Sequence, residues 1–190
     1  MRDQMTKAFY QNITSLLSAI DDCLKDKQIL PALILIYIGI DVVAPLERRP
    51  AERTKAAFAR WVREYLMRAK KLPCTALELY GARCAVVHSL SAESDLSRGG
   101  AVRPVIYAWG NASVDELQEA SDAANEAPHV AIHVSELLEG FRMGLESYLH
   151  ELEHEPDRKA RALENAGFWM TAISKELVAA FLTGYVSPDP

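Results

Sequence analysis

Hydrophobic positions in the first half of the chain recur at steps of three and four residues, the spacing of one face of an α-helix. The first such run contains Phe9, Ile13 and Ile20. The second, residues 29–40, is apolar all round, as expected for a helix buried on every side, and Pro45 ends it. The pattern predicts four consecutive helices, at residues 5–25, 29–44, 54–69 and 75–90.

The pattern changes after the fourth helix. Residues 91–103 are rich in serine, glycine and charge, which indicates a loop. Two short runs of β-branched and aromatic residues follow, and they predict strands at 105–109 and 129–134. A polar helix at 113–126 is predicted between the strands.

Two further helices are predicted near the end of the chain. Residues 135–153 have the helical period with Ser135 as the expected N-cap, and residues 163–180 repeat it. Residues 186–190 are expected to fray. The predicted fold is therefore mostly α. It is a single-domain helical bundle over all 190 residues, with five to six helices and a small two-stranded insertion, residues 91–134, after the fourth helix.

Composition narrows the class of protein. A chain with 49% hydrophobic and 25% charged residues is typical of a compact globular domain. Its three cysteines are irregularly spaced, which favours a reduced, cytoplasmic protein without disulfides. The first residues lack the basic and apolar regions of a signal peptide. The apolar run at 29–40 is shorter than the roughly 20 residues of a spanning helix, so no membrane segment is expected.

Charge is unevenly distributed along the chain, whose net charge is −5. Residues 47–71 carry nine basic and three acidic side chains, a net charge of +6. Residues 111–158 carry twelve acidic side chains and two arginines, a net charge of −10. The acidic total excludes a protein coated with phosphate-binding residues, whereas the basic third helix is either an ordinary solvated face or one that meets nucleic acid.

The fourth helix carries Arg83 and His88 within the stretch YGARCAVVHS. Arginine forks onto phosphate oxygens, and histidine passes protons near neutral pH, so the pair suits phosphate chemistry. Five residues apart, the two lie about 140° around the axis and about 7.5 Å along it, so one helix is not expected to bring both onto the same atom. A second copy packed across a two-fold axis would complete one pocket, which predicts a homodimer.

With its apolar helix, the preceding core helix and the basic third helix, residues 29–90 resemble the HEPN superfamily (higher eukaryotes and prokaryotes nucleotide-binding). Domains of that superfamily are α-helical and bear an Arg-x4–6-His motif. The resemblance implies RNA cleavage without metal or cofactor in a dimer-interface cleft, with Arg83 and His88 as catalytic residues. It also implies a growth-restricting or defence role, in which an antitoxin or another protein is a partner.

Four further arginines are candidates for holding the RNA backbone. Arg98 and Arg103 belong to the loop after the motif, and Arg60 and Arg63 belong to the basic helix. A cationic groove of this kind makes binding strongly salt-dependent. The alternative for all four is an ordinary surface role.

Other interpretations of the motif helix remain open. Cys84 follows Arg83 where active HEPN members often carry a polar residue, so a non-catalytic scaffold or a nucleotide- or protein-binding module is the main alternative. Cys84 and His88, one turn apart, also have the spacing of a thiol and its base. Asp41, at the end of the apolar second helix, must find a donor or cation unless it reaches solvent.

The stretch HELEH, residues 150–154, has the spacing of a zinc-hydrolase motif. His150 and His154 would bind the metal, and a third ligand such as Glu164 or Glu176 would be needed. The motif lies among acids near Pro156, where a solvated helix end is expected. We therefore predict no metal, and zinc hydrolysis is a minor alternative.

Overall fold

The structure is a computed structural model of the chain, and it describes residues 2–124 and 128–166. It confirms the mostly α prediction and contains a small two-stranded parallel sheet. The helices are α1 (Arg2–Lys25), α2 (Ile29–Val43), α3 (Thr54–Trp61), α4 (Met67–Ala69), α5 (Ala76–Ser89), α6 (Asp95–Arg98), α7 (Val114–Ala124), α8 (Val134–His154) and α9 (Pro156–Ala166). The strands are β1 (Val105–Ala108) and β2 (Val130–His133).

Helix α2 lies at the centre of the fold, as its apolar sequence predicts. Ile36 and Ile40 are fully buried, and α1, α5 and α8 pack around the helix. Gly39 allows α8 to come close, because a Cβ there would lie 2.4 Å from Cζ of Phe141. The helix is one residue shorter than predicted and continues into a 3-10 turn, Ala44–Glu47.

The predicted third helix is continuous but not uniform. Helix α3 runs into a π-helical segment, Val62–Leu66, which α4 follows. The segment packs against α8 at two glycines of that helix. A Cβ at Gly144 would lie 2.8 Å from the backbone nitrogen of Leu66, and one at Gly140 would also crowd the Leu66 side chain. The two backbones therefore touch, which is an arrangement that hydrophobic periodicity does not reveal.

The two strands of the insertion pair in parallel, with Val105 opposite Val130. Helix α7 lies between them in sequence, as a parallel pair requires a crossover connection. The hydroxyls of Tyr107 in β1 and Tyr37 in α2 are hydrogen-bonded at 2.5 Å, which ties the sheet to the core helix. The segment predicted as a plain loop before β1 contains the short helix α6.

The start of α8 differs from the prediction. Ser135 is not the N-cap, because strand β2 leads directly into the helix and the last residue with extended backbone angles is His133. Nδ1 of His133 accepts a hydrogen bond from the backbone N–H of Ser135, 3.2 Å away. A ring nitrogen thus takes the role expected of a serine hydroxyl.

The end of the chain is described in part. Helix α9 begins at Pro156, earlier than the predicted closing helix at 163–180. Residues 167–180 of that helix, and the predicted frayed tail at 186–190, lie outside the described residues.

One described segment, Ile29–Glu47, is long and apolar enough to cross a membrane. Half of this apolar stretch is buried inside the fold. The core helix of a soluble protein passes the same test, so this segment does not decide the location of the protein, and the cytoplasmic assignment stays a prediction.

Candidate active site at Arg83 and His88

Helix α5 is fixed at both ends. Thr75 and Glu78 form a capping box at its start, with Thr75 N–H donating to Oε2 of Glu78 at 2.7 Å. At the other end Leu90 adopts a left-handed conformation, with φ of 48°, and ends the helix. In the middle, Gly81 lets the segment before β1 pack closely, since a Cβ there would lie 2.8 Å from Cγ2 of Val102. The motif residues therefore project from a firmly held helix.

Arg83 and His88 meet within one chain. Nη1 of Arg83 lies 2.6 Å from Nε2 of His88, a hydrogen-bonding distance. The prediction that one helix would keep the two apart is wrong, because it considered the positions of the residues on the helix. The arginine side chain is long enough to span the separation of five residues along the axis.

Asp41 holds the other side of the Arg83 guanidinium. Nε of Arg83 donates to Oδ2 of Asp41 at 2.6 Å, and Nη2 contacts the same oxygen. The side chains of Arg83 and Asp41 are only 14% and 19% exposed. Asp41 thus finds the cation that its apolar position required. Each of the two residues stands out separately in the sequence, whereas the link between them depends on the packing of α2 against α5.

The contact with Asp41 has an electrostatic consequence. Burial lowers the pKa of Arg83, but the hydrogen bond and charge of Asp41 outweigh it and raise that pKa above its ordinary value. Oδ1 of Asp41 is buried and has no hydrogen-bond partner among the described residues. Within the described residues, the hydrogen bonds of this carboxylate therefore all go to Arg83, through Oδ2.

The contact with Arg83 also decides which ring nitrogen of His88 acts as hydrogen-bond acceptor. Arginine has donors only, so Nε2 of His88 must be the acceptor in the bond from Arg83. A neutral His88 in this arrangement carries its proton on Nδ1. The His88 side chain is exposed, so the pair lies at the surface, where a ligand can reach it.

Tyr80 and Cys84 complete the surroundings of Arg83. Cζ of Arg83 lies 6.0 Å from the centre of the Tyr80 ring, which in turn packs edge-on against Phe58 of α3. Burial, and then the neighbouring Cys84, raises the pKa of Tyr80. Sγ of Cys84 lies 3.9 Å from Nη1 of Arg83. In the described part of the chain Cys84 contacts the arginine and makes no hydrogen bond to His88, so the thiol and base pair is not assembled.

The four arginines expected to bind RNA fall into two groups. Arg60 is bonded to Glu52 at 3.0 Å and to the carbonyl of Glu47, and Arg103 is bonded to the buried Glu78 at 2.6 Å. These two have structural partners.

The other two arginines are available to a ligand. The one ion-pair partner of Arg98, among the residues that the structure describes, is Asp95, and the two side chains are 55% and 97% exposed. Arg63 is exposed and makes no ion pair with any residue in the described ranges.

The HELEH stretch forms the last turns of α8. The rings of His150 and His154 are 4.2 Å apart, and both side chains are exposed. Glu151 accepts hydrogen bonds from Tyr65 and Arg158, both at 2.8 Å. The glutamate that a zinc hydrolase would use on water is thus engaged elsewhere.

Among the described residues, no three His, Cys, Asp or Glu side chains lie together in a way that could hold a metal ion. Of the suggested third ligands, Glu164 is an exposed residue of α9, and Glu176 lies outside the described residues.

Comparison with protein-family models, with curated proteins and with solved structures gave no match to this chain.

Proposed function

We propose that the protein is a metal-independent, HEPN-like endoribonuclease in which Arg83 and His88 act as a pair. The observation that carries the proposal is the 2.6 Å contact between Nη1 of Arg83 and Nε2 of His88 at an exposed position. A permanent cation can stabilise charge on a phosphate and an imidazole can pass a proton, so the two groups side by side suit cleavage at a phosphate.

The proposed reaction is attack by an RNA 2′-hydroxyl on the adjacent phosphorus. The new bond joins the 2′-oxygen to phosphorus, and the bond from phosphorus to the 5′-oxygen breaks, leaving a 2′,3′-cyclic phosphate. His88 takes the proton of the 2′-hydroxyl and delivers it to the departing 5′-oxygen, which leaves as a 5′-hydroxyl end, and Arg83 stabilises the charge that builds on the phosphoryl oxygens. Because the two side chains touch in the free protein, a phosphate must enter between them. Asp41 holds the guanidinium in place while the contact to His88 opens.

Arg63 and Arg98 are the proposed contacts to the flanking RNA backbone, because both are exposed. Arg60 and Arg103 are assigned to the fold instead, since each has a close carboxylate partner.

A homodimer belongs to the proposal, with α5 at the interface. Because Arg83 and His88 meet within one chain, their separation no longer calls for a second copy, and the HEPN resemblance, which implies a dimer-interface cleft, is what supports the dimer. A growth-restricting or defence role in the cytoplasm, with a partner protein as antitoxin, is the biological setting that the HEPN resemblance implies.

The second candidate is a non-catalytic HEPN-like scaffold or binding module. The observation that favours it is the ion pair between Arg83 and Asp41, because an arginine that is 14% exposed and doubly bonded to a carboxylate also serves purely to join two helices. This candidate predicts folded, associating protein that cleaves no RNA.

The two candidates are separated by incubating total RNA with wild type, Arg83→Ala and His88→Ala in EDTA. The proposal expects 2′,3′-cyclic phosphate ends from wild type and a loss of on the order of 10² to 10⁴ in rate for His88→Ala, the usual contribution of a general acid or base. Equal cleavage by all three proteins would indicate a contaminant. No cleavage by wild type would favour the scaffold.

A further inference from the structure

The two edges of the small sheet are treated differently by the fold. Val130 N–H donates to the carbonyl of Pro104 at 2.9 Å, which shows which residues of β1 direct their backbone groups toward β2. With this pairing, the backbone N–H and C=O of Ile106 point toward β2, and those of Val105 and Tyr107 point away from it. The outer edge of β1 therefore consists of the backbone groups of Val105 and Tyr107.

The edge of β2 is closed by a side chain. Gln118 of α7 donates from Nε2 to the carbonyl of His129 at 3.2 Å and accepts from the N–H of Ala131 at 2.9 Å. The amide side chain thereby takes two of the backbone groups with which a neighbouring strand would pair, and α7 packs against β2.

Among the residues that the structure describes, no side chain covers the edge of β1 in this way. The outward N–H and C=O groups of Val105 and Tyr107 make no hydrogen bond to any residue of the described ranges. Unpaired backbone groups at a largely buried strand are uncommon, because their loss of water is not compensated. Within the described ranges, α7 therefore occupies the β2 side of the sheet, whereas the β1 edge stays open.

A groove of about 340 Å³ adjoins this open edge. Its walls are formed by Leu30 and Leu33 of α2, by Ala82 and Val86 of α5, and by Leu90. Leu30 and Leu90 are 42% and 63% exposed, and none of the described residues that line the groove is charged. The volume falls within the range of ordinary ligand sites, which is roughly 300–1,000 Å³.

The backbone groups of the β1 edge and the apolar side chains of the groove favour the same kind of ligand. Backbone donors and acceptors that alternate along a strand are complemented by another extended backbone, and an uncharged aliphatic groove is complemented by uncharged aliphatic side chains. An ion or a nucleotide would leave the alternating groups unpaired and would place charge against leucine.

We infer that β1 and this groove bind an extended, uncharged segment of a partner protein, which adds as a third strand beside β1 and places β-branched or aliphatic side chains between α2 and α5. Leu90 is two residues from His88, so the bound segment lies beside the end of the motif helix. The inference does not depend on ribonuclease activity.

The test uses the full chain and a blocked, uncharged heptapeptide, Gln-Thr-Val-Thr-Val-Thr-Gln, followed by NMR and amide hydrogen exchange. Saturable shifts at the groove are expected, together with new protection of the Val105 and Tyr107 amides. The same peptide N-methylated at its valine and threonine amides keeps the side chains but loses the donors. It should not bind.

Leu30→Asp and Leu90→Asp should each weaken binding at least about tenfold, because a charge enters the apolar groove. Met143→Asp is the matched control, since Met143 is 42% exposed, as is Leu30, and does not line the groove. It should bind as wild type does.

Three outcomes would overturn the inference: no saturable binding, equal binding of the N-methylated peptide, or protection of the Val105 and Tyr107 amides in the free protein equal to that of Ile106. Protection that rises with protein concentration would assign the edge to a second copy of the chain instead.

Discussion

Nε of Arg83 in α5 donates to Oδ2 of Asp41 in α2 at 2.6 Å, and the same guanidinium contacts His88. One arginine therefore joins the core helix to the exposed end of the motif. Stability and the proposed chemistry share this side chain, so substitutions around it separate the two roles.

Asp41→Asn should lower the free energy of unfolding by about 1–3 kcal/mol, because Arg83 is left largely buried without its counter-charge. Urea denaturation measures this change. Asp21→Asn is the matched control, as its ion pair with Arg142 is 58% and 40% exposed and should contribute less than about 1 kcal/mol. Equal effects of the two variants would mean that the Asp41 pair does not tie α2 to α5.

The long helices α1, α2, α3, α5 and α8 were predictable because each carries an apolar stripe or an apolar run of sufficient length, whereas the short helix α6 and the start of α9 were not predicted. Apolar positions of this kind predict α2, α3 and α5, and Pro45 predicts where α2 ends. The direction of the strand pair and the π-helical segment were not predictable, since both depend on contacts between distant parts of the chain. Gly144 was the available signal for the latter, but a lone glycine in a helix has several explanations.

The candidate site was predictable in its residues and not in its geometry. Arg83 and His88 were found from residue type and spacing, whereas their contact within one chain depends on side-chain length. The hydrogen bonds from Arg60 to Glu52 and from Arg103 to Glu78 were not predicted, because they depend on how segments apart in the sequence pack together.

Arg158→Met should destabilise the fold by about 2–4 kcal/mol. Arg158 is 17% exposed and joins Glu47, Glu151 and the hydroxyl of Tyr65, so its loss leaves carboxylates unpaired where α9 meets the turn after α2. The midpoint of urea unfolding gives the measurement. Arg142→Met, at an exposed pair, serves as control, and an Arg158 variant no less stable than that control would rule out a structural role for the network.

Gly144→Ala should cost about 1–3 kcal/mol, because the added methyl group meets the backbone of the π-helical segment at 2.8 Å and neither backbone can yield easily. Thermal unfolding followed by circular dichroism reports the change. Ser147→Ala on the exposed face of α8 controls for substitution in the same helix. A Gly144→Ala protein as stable as this control would show that α8 does not pack backbone to backbone there.

Stability should fall as the solution is acidified below pH of about 4.5, in part through Glu78. Burial raises the pKa of Glu78, but hydrogen bonds from Arg103 and Thr75 outweigh it and hold that pKa below its ordinary value of 4.5. A carboxyl whose pKa is lower in the folded state stabilises the fold above its unfolded pKa and loses that effect as pH falls through the folded pKa.

Glu78→Gln should therefore flatten the acid limb of the curve of unfolding free energy against pH. The difference should be about 1 kcal/mol, because Arg103 is 41% exposed and solvent weakens the pair. Glu93→Gln, an exposed residue, should leave the curve unchanged. Identical acid limbs for wild type and Glu78→Gln would contradict the assignment.

The most direct test of the proposed pair is single-turnover cleavage of a DNA oligonucleotide that contains one ribonucleotide, in EDTA, by wild type, His88→Ala and Arg83→Lys. We expect wild type to cut only at the single 2′-hydroxyl and to leave a cyclic phosphate. His88→Ala should be slower by on the order of 10² to 10⁴, and Arg83→Lys nearly as slow because lysine lacks the fork. Cleavage of the all-deoxy strand, or rates in both variants equal to wild type, would contradict the assignment of Arg83 and His88 as the catalytic pair.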